Sequence, residues 1–478
     1  MTFTDFAAIQ SRRRFLSNCG AGVGTAAVAH LMGLEGRTAA NKLSGANPMT
    51  PREPHFAPKA KNVILLYMSG APSQLDLFDP KPGLQKWHGQ SLPPSLTKDL
   101  KLAFIKPNAK VMASAREFKK YGQSGMDFSE LVPNIATCAD DICMVRTMKT
   151  EAFNHDPGVL MLTTGHTQFG HPSIGAWAAY GLGSESENLP GFVVLGSGKG
   201  PNGGSNIWGN GFLPSVYQGT RFRSTGDPIL YLSNPEGVSR ELQRARLDAL
   251  KKLNEKRFEE TGDLEIAARV NSYELAFRMQ MAAPDLLDFS GESQQTLDSY
   301  GVEKEPTRQY GVNCLLARRM VERGVRFVML THGDWDAHKE IDKNHRENCG
   351  IVDQPTAALI KDLKDRGLLD STLVIWSSEF GRTPMIQLDR DDEAAGRDHH
   401  PDCYSLWLAG GGIKPGAIIG ETDDIGLKTV ADKVHVHDLQ ATVLHCLGFD
   451  HKKLTYHHQG RDFRLTDVGG NVVEKMLA

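Results

Sequence analysis

The sequence predicts an α/β protein, a three-layer α/β/α sandwich around a mostly parallel central sheet with a helical insertion. Two observations point to this fold. Short apolar runs with the length of buried strands recur along the chain, and segments with the apolar spacing of helices lie between them. Strands that alternate with helices favour a parallel sheet covered by helices on both faces.

The individual elements follow from the same patterns. Residues 313–323 and 354–366 have the apolar spacing of helices, and Gly367 is a plausible C-cap for the second. The charged, helix-rich residues 238–300 are predicted to form an insertion or cover. The apolar runs that predict buried strands are 63–68, 192–195, 326–330, 372–376 and 405–409.

Size and charge limit the function classes. The chain has 478 residues, with 54 Lys and Arg against 57 Asp and Glu. This near-neutral balance argues against a general nucleic-acid binder, which usually has a basic excess. Length alone would allow about three domains, but the patterns favour one domain over residues 62–478, preceded by a linker at 41–61. No stretch is apolar enough over about 20 residues to predict an integral membrane span.

The N-terminus is typical of an export signal. Arg12 and Arg13 precede Arg14-Phe15-Leu16, and a Gly/Ala-rich apolar run follows. This pattern fits a twin-arginine signal peptide, which we place at residues 1–40. The mature protein is therefore expected in the periplasm or outside the cell. The alternative is an amphipathic N-terminal helix, although the run lacks a polar face.

Polar residues follow the predicted strands. In open α/β sheets, ligand sites lie beyond the carboxyl ends of the strands, so side chains at these positions are expected to converge. A mixture of imidazole and carboxylate suits Zn, Mn or Fe, whereas oxygen ligands alone suit Mg or Ca. The guanidinium of Arg382 suits an anionic group. The candidates that follow predicted strands are Asp76, Asp336, His338, Glu379 and Arg382. Asp398 and His399 come just before the predicted strand 405–409, and His155 lies in a separate polar segment.

Each candidate also has a purely structural interpretation. Asp336 and His338 could form a salt bridge within a loop, and Glu379 could be a buried partner of Arg382. Asp76 could belong to an ordinary turn. The remaining alternatives are a turn cap for Asp398 and a helix N-cap region for His155.

Several segments together resemble a large bacterial family of unknown function that is exported by the twin-arginine route and often labelled sulfatase-like. The resemblance covers nearly the whole mature chain. Its segments are 62–73, 154–155, 162–165, 276–280, 335–338, 378–384 and 396–399. The family is placed in the alkaline phosphatase and sulfatase superfamily, so the resemblance implies an alkaline-phosphatase-like sandwich with a metal-assisted site for phosphate or sulfate esters.

The chain departs from the sulfatase pattern at three places. Ser69 and Gly70 stand where sulfatases have a metal-binding pair of aspartates, and His155 stands where they have the Cys or Ser nucleophile. Phe380 replaces a histidine that follows a metal-binding aspartate. The usual sulfatase chemistry, which needs that nucleophile, is therefore not expected.

Two hypotheses follow. The first is a metal-dependent hydrolase, in which His155 is a general base or an additional ligand and Arg382 binds the anionic ester. The divalent metal would be Zn, Mn or Ca, held by Asp76, Asp336, His338, Glu379, Asp398 and His399. The second is a non-catalytic relative that binds or assembles with exported cytochrome-like proteins, because genes of the family often accompany genes for such proteins.

Overall fold

The structure is a computed structural model that describes residues 47–97, 104–224, 228–229, 232–387 and 394–478. The predicted signal at residues 1–40 lies outside the described residues. Within the predicted linker, residues 47–61 contain no helix or strand.

The central sheet is mixed but mostly parallel. Its nine strands run in the order β12-β4-β11-β8-β1-β7-β5-β6, with β15 also paired to β4. All of these pairings are parallel except those of β11 with β4 and with β8. The strands of this sheet are β1 (Asn62–Met68), β4 (Ile142–Lys149), β5 (Phe192–Ser197), β6 (Thr220–Arg221), β7 (Phe327–His332), β8 (Thr372–Ser377), β11 (Tyr404–Ala409), β12 (Ile418–Ile419) and β15 (Val434–His435).

Four two-stranded ribbons complete the described strands. They pair β2 with β3, β9 with β10, β13 with β14 and β16 with β17. Their bounds are β2 (Phe118–Tyr121), β3 (Met126–Ser129), β9 (Gly381–Ile386), β10 (Arg397–His400), β13 (Glu421–Thr422), β14 (Thr429–Ala431), β16 (Tyr456–His458) and β17 (Arg461–Phe463).

The described α-helices connect the strands. Their bounds are α1 (Gln74–Leu77), α2 (Pro94–Thr97), α3 (Pro133–Ala136), α4 (His155–Thr164), α5 (Ile174–Leu182), α6 (Arg240–Thr261), α7 (Leu264–Leu287), α8 (Gln294–Tyr300), α9 (Arg308–Glu322), α10 (Ile341–Asp365) and α11 (Val436–Cys446). The region 238–300 thus carries α6, α7 and α8. Among the described residues, no helix combines the length and apolar character needed to cross a membrane.

The hydrophobic core has two layers, one on each face of the sheet. Ile64 and Leu66 of β1 belong to one cluster of buried side chains, and their neighbours Val63 and Leu65 belong to the other. Successive side chains of a strand point to opposite faces, so both faces of β1 are covered. Helices α9 and α10 pack on the first face, and α4, α5 and α11 pack on the second. The predicted α/β/α sandwich is confirmed.

Each of the five predicted strands forms, and both predicted helices form. Helix α10 begins at Ile341, well before the predicted start at 354, and it holds Pro355 in its interior. Proline is common in the first turn of a helix, which is why the sequence suggested a later start. Strand β4 was not predicted, because its Cys, Met and Arg residues give little strand signal.

Candidate metal centre

The carboxyl ends of β8, β1 and β7 lie side by side at one edge of the sheet. The segment after β7 carries Asp336 and His338, and it passes directly over the end of β1. Gly70 there has a φ of +110°, and a Cβ on it would lie 2.5 Å from the backbone nitrogen of Asp336. Glycine at this position therefore allows the segment with Asp336 to pack against β1.

A β-hairpin after β8 brings Arg382 and His399 together. In the pairing of β9 with β10, His399 lies opposite Arg382. In the sequence, residues 378–384 follow one predicted strand and residues 396–399 precede another, with nothing to indicate that they pair. Their pairing explains why residues far apart in the chain reach one site.

Helix α4 supplies His155 from its first turn. The helix packs closely on the turn after β8, because a Cβ on Gly158 would lie 3.1 Å from the ring of Phe380. The ring of Phe380 also lies beneath the rings of His155 and His399, at centroid distances of 5.0 and 4.5 Å. This apolar ring fixes one side of the site.

Three imidazoles and one carboxylate converge at this edge. One ligand atom from each of His155, Asp336, His338 and His399 lies within 4.8 Å of the others. The Oδ1 atom of Asp336 is 3.1, 2.8 and 3.7 Å from the Nε2 atoms of His155, His338 and His399. The Nε2 atoms of His338 and His399 are 3.1 Å apart. Donors placed about 2.0–2.1 Å from zinc in a tetrahedron lie roughly 3.3 Å apart, so this spacing fits one cation.

The opposite nitrogen of each ring contacts a hydrogen-bond acceptor. The Nδ1 atom of His155 is 2.6 Å from Oε1 of Glu379, and that of His399 is 2.7 Å from the carbonyl oxygen of Phe153. The Nδ1 atom of His338 contacts Oε1 of Gln387. Because carboxylates and carbonyls only accept, each Nδ1 carries the hydrogen and each Nε2 keeps its lone pair.

This tautomer makes the site suitable for a cation. The lone pairs of three Nε2 atoms and the carboxylate of Asp336 face one another, and Nε2 of His155 lies 3.1 Å from Oδ1 of Asp336. Without a metal, protons must relieve this repulsion. Burial opposes the charged form of His155, but hydrogen bonds with Asp336 and Glu379 outweigh it and raise the pKa to about 9. The donor set therefore fits a divalent metal.

Arg382 positions Asp336 and does not face solvent. Its Nη2 donates to Oδ1 of Asp336 at 2.7 Å and also to the carbonyl of Gly70. Its Nε and Nη1 donate to the carbonyls of Ala71 and Arg397 at 2.8 and 3.1 Å. Since the side chain is fully buried, the expected contact between Arg382 and an anionic ester has no room in this structure.

Asp336 is itself half-exposed, with 43% of its side chain accessible. Burial opposes its ionisation, but hydrogen bonds from the three histidines, which donate from Nε2 when their rings are protonated, and the charge of Arg382 hold the pKa of Asp336 well below its usual range. The carboxylate therefore stays ionised, and it contacts both the imidazoles and the solvent.

Three predicted ligands lie outside the converging group. Glu379 is fully buried and contacts the far nitrogen of His155, so it orients that ring and lies outside the converging group. Its carboxylate also accepts hydrogen bonds from the hydroxyl of Tyr67 at 2.7 Å and from the amide of Gly70 at 2.9 Å. These contacts explain how a buried acid is tolerated.

Asp76 and Asp398 are engaged elsewhere. The Oδ2 atom of Asp76 accepts from Nε of Arg397 at 2.8 Å, a buried ion pair. The Oδ2 atom of Asp398 accepts from the backbone amides of Phe104 and Ile105 at 2.9 and 3.2 Å. Asp398 thus holds a loop, close to the turn-capping alternative, and neither carboxylate belongs to the converging group.

The loop held by Asp398 brings an aromatic ring to the rim of the site. Phe104 is 59% exposed and contacts the rings of His338 and His399 edge-on, at centroid distances of 6.3 and 5.5 Å. Phe104 and the acceptors Phe153 and Gln387 were not among the residues predicted from the sequence. A backbone carbonyl that fixes a ring, as at Phe153, leaves no signal in residue type.

No curated protein sequence matches the chain at a significant level. Solved structures with a similar arrangement include the lipoteichoic acid synthase LtaP from Listeria monocytogenes, which is 10% identical with a TM-score of 0.36 over 90% of this chain and 80% of that chain. The PsFucS1 sulfatase from Pseudoalteromonas sp. is 13% identical, with a TM-score of 0.35 over 84% and 69%. The alkaline phosphatase from the Antarctic bacterium TAB5 is 12% identical, with a TM-score of 0.29 over 76% and 94%.

At these TM-scores, function has to be argued from the contacts of this chain's own residues. A family model gives the clearer result, because its match spans nearly the whole chain that follows the predicted signal. The match confirms the family membership that the sequence segments indicated. The chain belongs to the family described as Protein of unknown function (DUF1501), whose model matches residues 60–477.

Proposed function

We propose that this chain is an exported, metal-dependent hydrolase of sulfate or phosphate esters. The observation that carries the proposal is the convergence of three Nε2 lone pairs and the Asp336 carboxylate, with every Nδ1 held by an acceptor. The export part rests on Arg12 and Arg13 of the predicted signal.

The donor set favours zinc or manganese over calcium. Three of the four donors are imidazole nitrogens, and calcium takes oxygen ligands. A divalent metal bound there would polarise an ester oxygen and lower the pKa of a water molecule, which removes the need for a protein nucleophile. This chemistry agrees with His155 standing where sulfatases have Cys or Ser.

Buried side chains orient the candidate ligands, and one side of the site is open to solvent. Glu379 holds the ring of His155, and Arg382 holds the carboxylate of Asp336. His155 presents Nε2 to the shared centre, so it acts as a ligand and not as a general base. The exposed carboxylate of Asp336 marks the side open to solvent, and Phe104 forms an apolar part of the rim. An ester with an apolar organic group fits this entrance.

The test is metal analysis followed by ester hydrolysis. The purified protein is stripped with EDTA and dialysed against zinc, manganese or calcium, and its metal content and its hydrolysis of 4-nitrophenyl sulfate and 4-nitrophenyl phosphate are measured. We expect one zinc or manganese ion per chain and hydrolysis that requires it. The His338→Ala variant should lose both the bound metal and the hydrolysis. His457→Ala is a matched control, because His457 pairs with Asp462 at 2.7 Å on the exposed surface.

Two results would contradict the proposal. Failure of every metal to bind stoichiometrically would refute the metal centre. Metal retention with no hydrolysis of either ester would favour the alternative, a non-catalytic partner of exported cytochrome-like proteins.

A further inference from the structure

A second polar network lies beside the metal centre and takes no part in it. Ser197 ends β5 and His332 ends β7, and the two residues are neighbours in the parallel ladder. Asn348 reaches them from α10. The Oγ atom of Ser197 is 2.9 Å from Nδ1 of His332, and Nε2 of His332 is 3.0 Å from Oδ1 of Asn348.

The direction of these hydrogen bonds is fixed by the backbone. The Nδ2 of Asn348 donates to the carbonyls of Asp334 and Asn344 at 3.1 and 3.0 Å, so its Oδ1 must face His332. An amide oxygen only accepts, so Nε2 of His332 carries the hydrogen and Nδ1 presents its lone pair to Ser197. Ser197 therefore donates to the ring. The carbonyl oxygen of Thr331 is a second possible acceptor for the Ser197 hydroxyl, at a longer distance of 3.4 Å from Oγ.

This is the arrangement of an activated nucleophile. A hydroxyl lies within hydrogen-bond reach of a base, and a third group orients that base. The same order of nucleophile, imidazole and amide occurs in cysteine proteases with a Cys-His-Asn set. Burial lowers the pKa of His332 to about 4, despite the hydrogen bond with Asn348 and the charge of Asp334, so the ring is neutral at neutral pH. The neutral ring is the form that accepts a proton.

A small cavity opens beside Ser197. Its volume is about 90 Å³, and Ser197, Thr331, Trp208 and Arg221 are among the residues that line it. The loop at 198–200 forms part of the wall and is seated by Gly333, whose Cβ would lie 2.0 Å from the carbonyl oxygen of Lys199.

Solvent-exposed residues form part of the cavity wall. Gly198, Gly200 and Arg221 line the cavity, and among the described residues the backbone amides of Gly198 and Gly200 donate to no backbone acceptor. Such donors can stabilise the oxyanion of an acyl-transfer reaction. The volume admits a short acyl group and little more.

We propose that Ser197, with His332 as base and Asn348 as positioning residue, is a second nucleophilic site that hydrolyses esters of small carboxylic acids without metal. The Oγ of Ser197 forms a bond to the carbonyl carbon, and its proton moves to Nδ1 of His332. The bond between that carbon and the alcohol oxygen breaks, and the alcohol leaves with the proton from Nδ1. A water molecule then repeats the exchange, releases the acid and restores Ser197.

The proposal stands apart from the proposed ester hydrolase at the metal centre. No atom of Ser197, His332 or Asn348 belongs to the group of metal-binding candidates. The two activities are therefore expected to differ in their need for metal and in the variants that abolish them.

The test uses methanesulfonyl fluoride, a small reagent that transfers a sulfonyl group to serine with loss of fluoride. The full chain is treated after EDTA stripping and again after zinc loading, and the modified residue is identified by peptide mass spectrometry. Hydrolysis of 4-nitrophenyl acetate is followed in parallel. We expect modification of Ser197 and acetate ester hydrolysis in both samples. His338→Ala should leave both unchanged while it abolishes metal retention.

Variants separate a catalytic network from a structural one. Ser197→Ala should lose modification and hydrolysis, and His332→Gln should slow both by about 100-fold or more. Ser405→Ala is a matched control, because Ser405 is similarly buried on β11. Asn348→Ala should slow both modification and hydrolysis and should move the pH profile downward, because the hydrogen bond with Asn348 raises the pKa of His332.

The readouts stay informative when a variant is unstable. Each variant is compared by circular dichroism, and modification of Ser197 in the wild-type chain needs no variant at all. Absence of modification at Ser197 in the folded wild type would overturn the proposal. So would equal hydrolysis of 4-nitrophenyl acetate by wild type and a folded Ser197→Ala variant.

Discussion

Glu379 offers the sharpest test of the proposed metal centre, because it contacts the candidate ligand His155 and lies outside the converging group. Replacing it with glutamine keeps the shape of the side chain and removes its charge. A glutamine oxygen at the position of Oε1 can still accept from the Nδ1 of His155 and the amide of Gly70. The Tyr67 hydroxyl can turn to accept from the new amide group. We therefore expect Glu379→Gln to fold.

The expected effect is on metal affinity. A carboxylate that orients a histidine ligand and raises its basicity typically contributes about 10–100-fold in affinity, or roughly 1.4–2.7 kcal/mol. Alanine at the same position would leave three buried groups without partners, those of His155, Tyr67 and Gly70. At about 1–3 kcal/mol each, that loss could reach the whole stability of the protein, so glutamine is the informative variant.

The assay is competition for zinc between the protein and a chromophoric chelator at fixed neutral pH. Circular dichroism of the metal-free variant checks the fold. Glu151→Gln is a matched control, since Glu151 also contacts a histidine, His435, at 2.8 Å, but on the exposed surface. Equal zinc affinity of wild type and Glu379→Gln would refute the orienting role, and weakened binding by Glu151→Gln would show a nonspecific charge effect.

Three further predictions concern the same edge of the sheet. Asp76→Asn should leave the charge of Arg397 buried and unpaired, and should lower the free energy of unfolding by about 3–5 kcal/mol in urea denaturation. The metal content of this variant should be unchanged. A loss of metal would instead show that Asp76 is a ligand. Gly70→Ala should abolish metal retention, because the new Cβ meets the backbone of Asp336, and normal retention would contradict that packing. In metal-free protein, the raised pKa of His155 stabilises the fold below pH 6.5, and this contribution should be lost as the pH rises to about 9. Thermal unfolding across this range checks it, and a His155→Gln variant with the same pH dependence would refute it.

Much of the fold could be predicted because its signals are local. Buried strands of a parallel sheet are continuous apolar runs, and the residues after them fall at one edge whatever the details of packing. That argument brought Asp336 and His338 into the candidate set, whereas His399 precedes a predicted strand and His155 lies in a separate polar segment. It did not reveal the β9–β10 hairpin, because neither strand is a continuous apolar run and their pairing depends on tertiary contacts with other parts of the chain.

The sequence by itself determined the sandwich, the family and the edge of the sheet where imidazoles and carboxylates gather. Tertiary structure alone decided which of them face one another. Asp76, Asp336 and Asp398 are all aspartates next to a strand. The carboxylate of Asp76 accepts hydrogen bonds from Arg397, however, and that of Asp398 accepts them from two backbone amides. A carboxylate accepts hydrogen bonds from whichever donors the fold places beside it, and those donors come from distant parts of the chain. Only Asp336 is left to meet the three histidines.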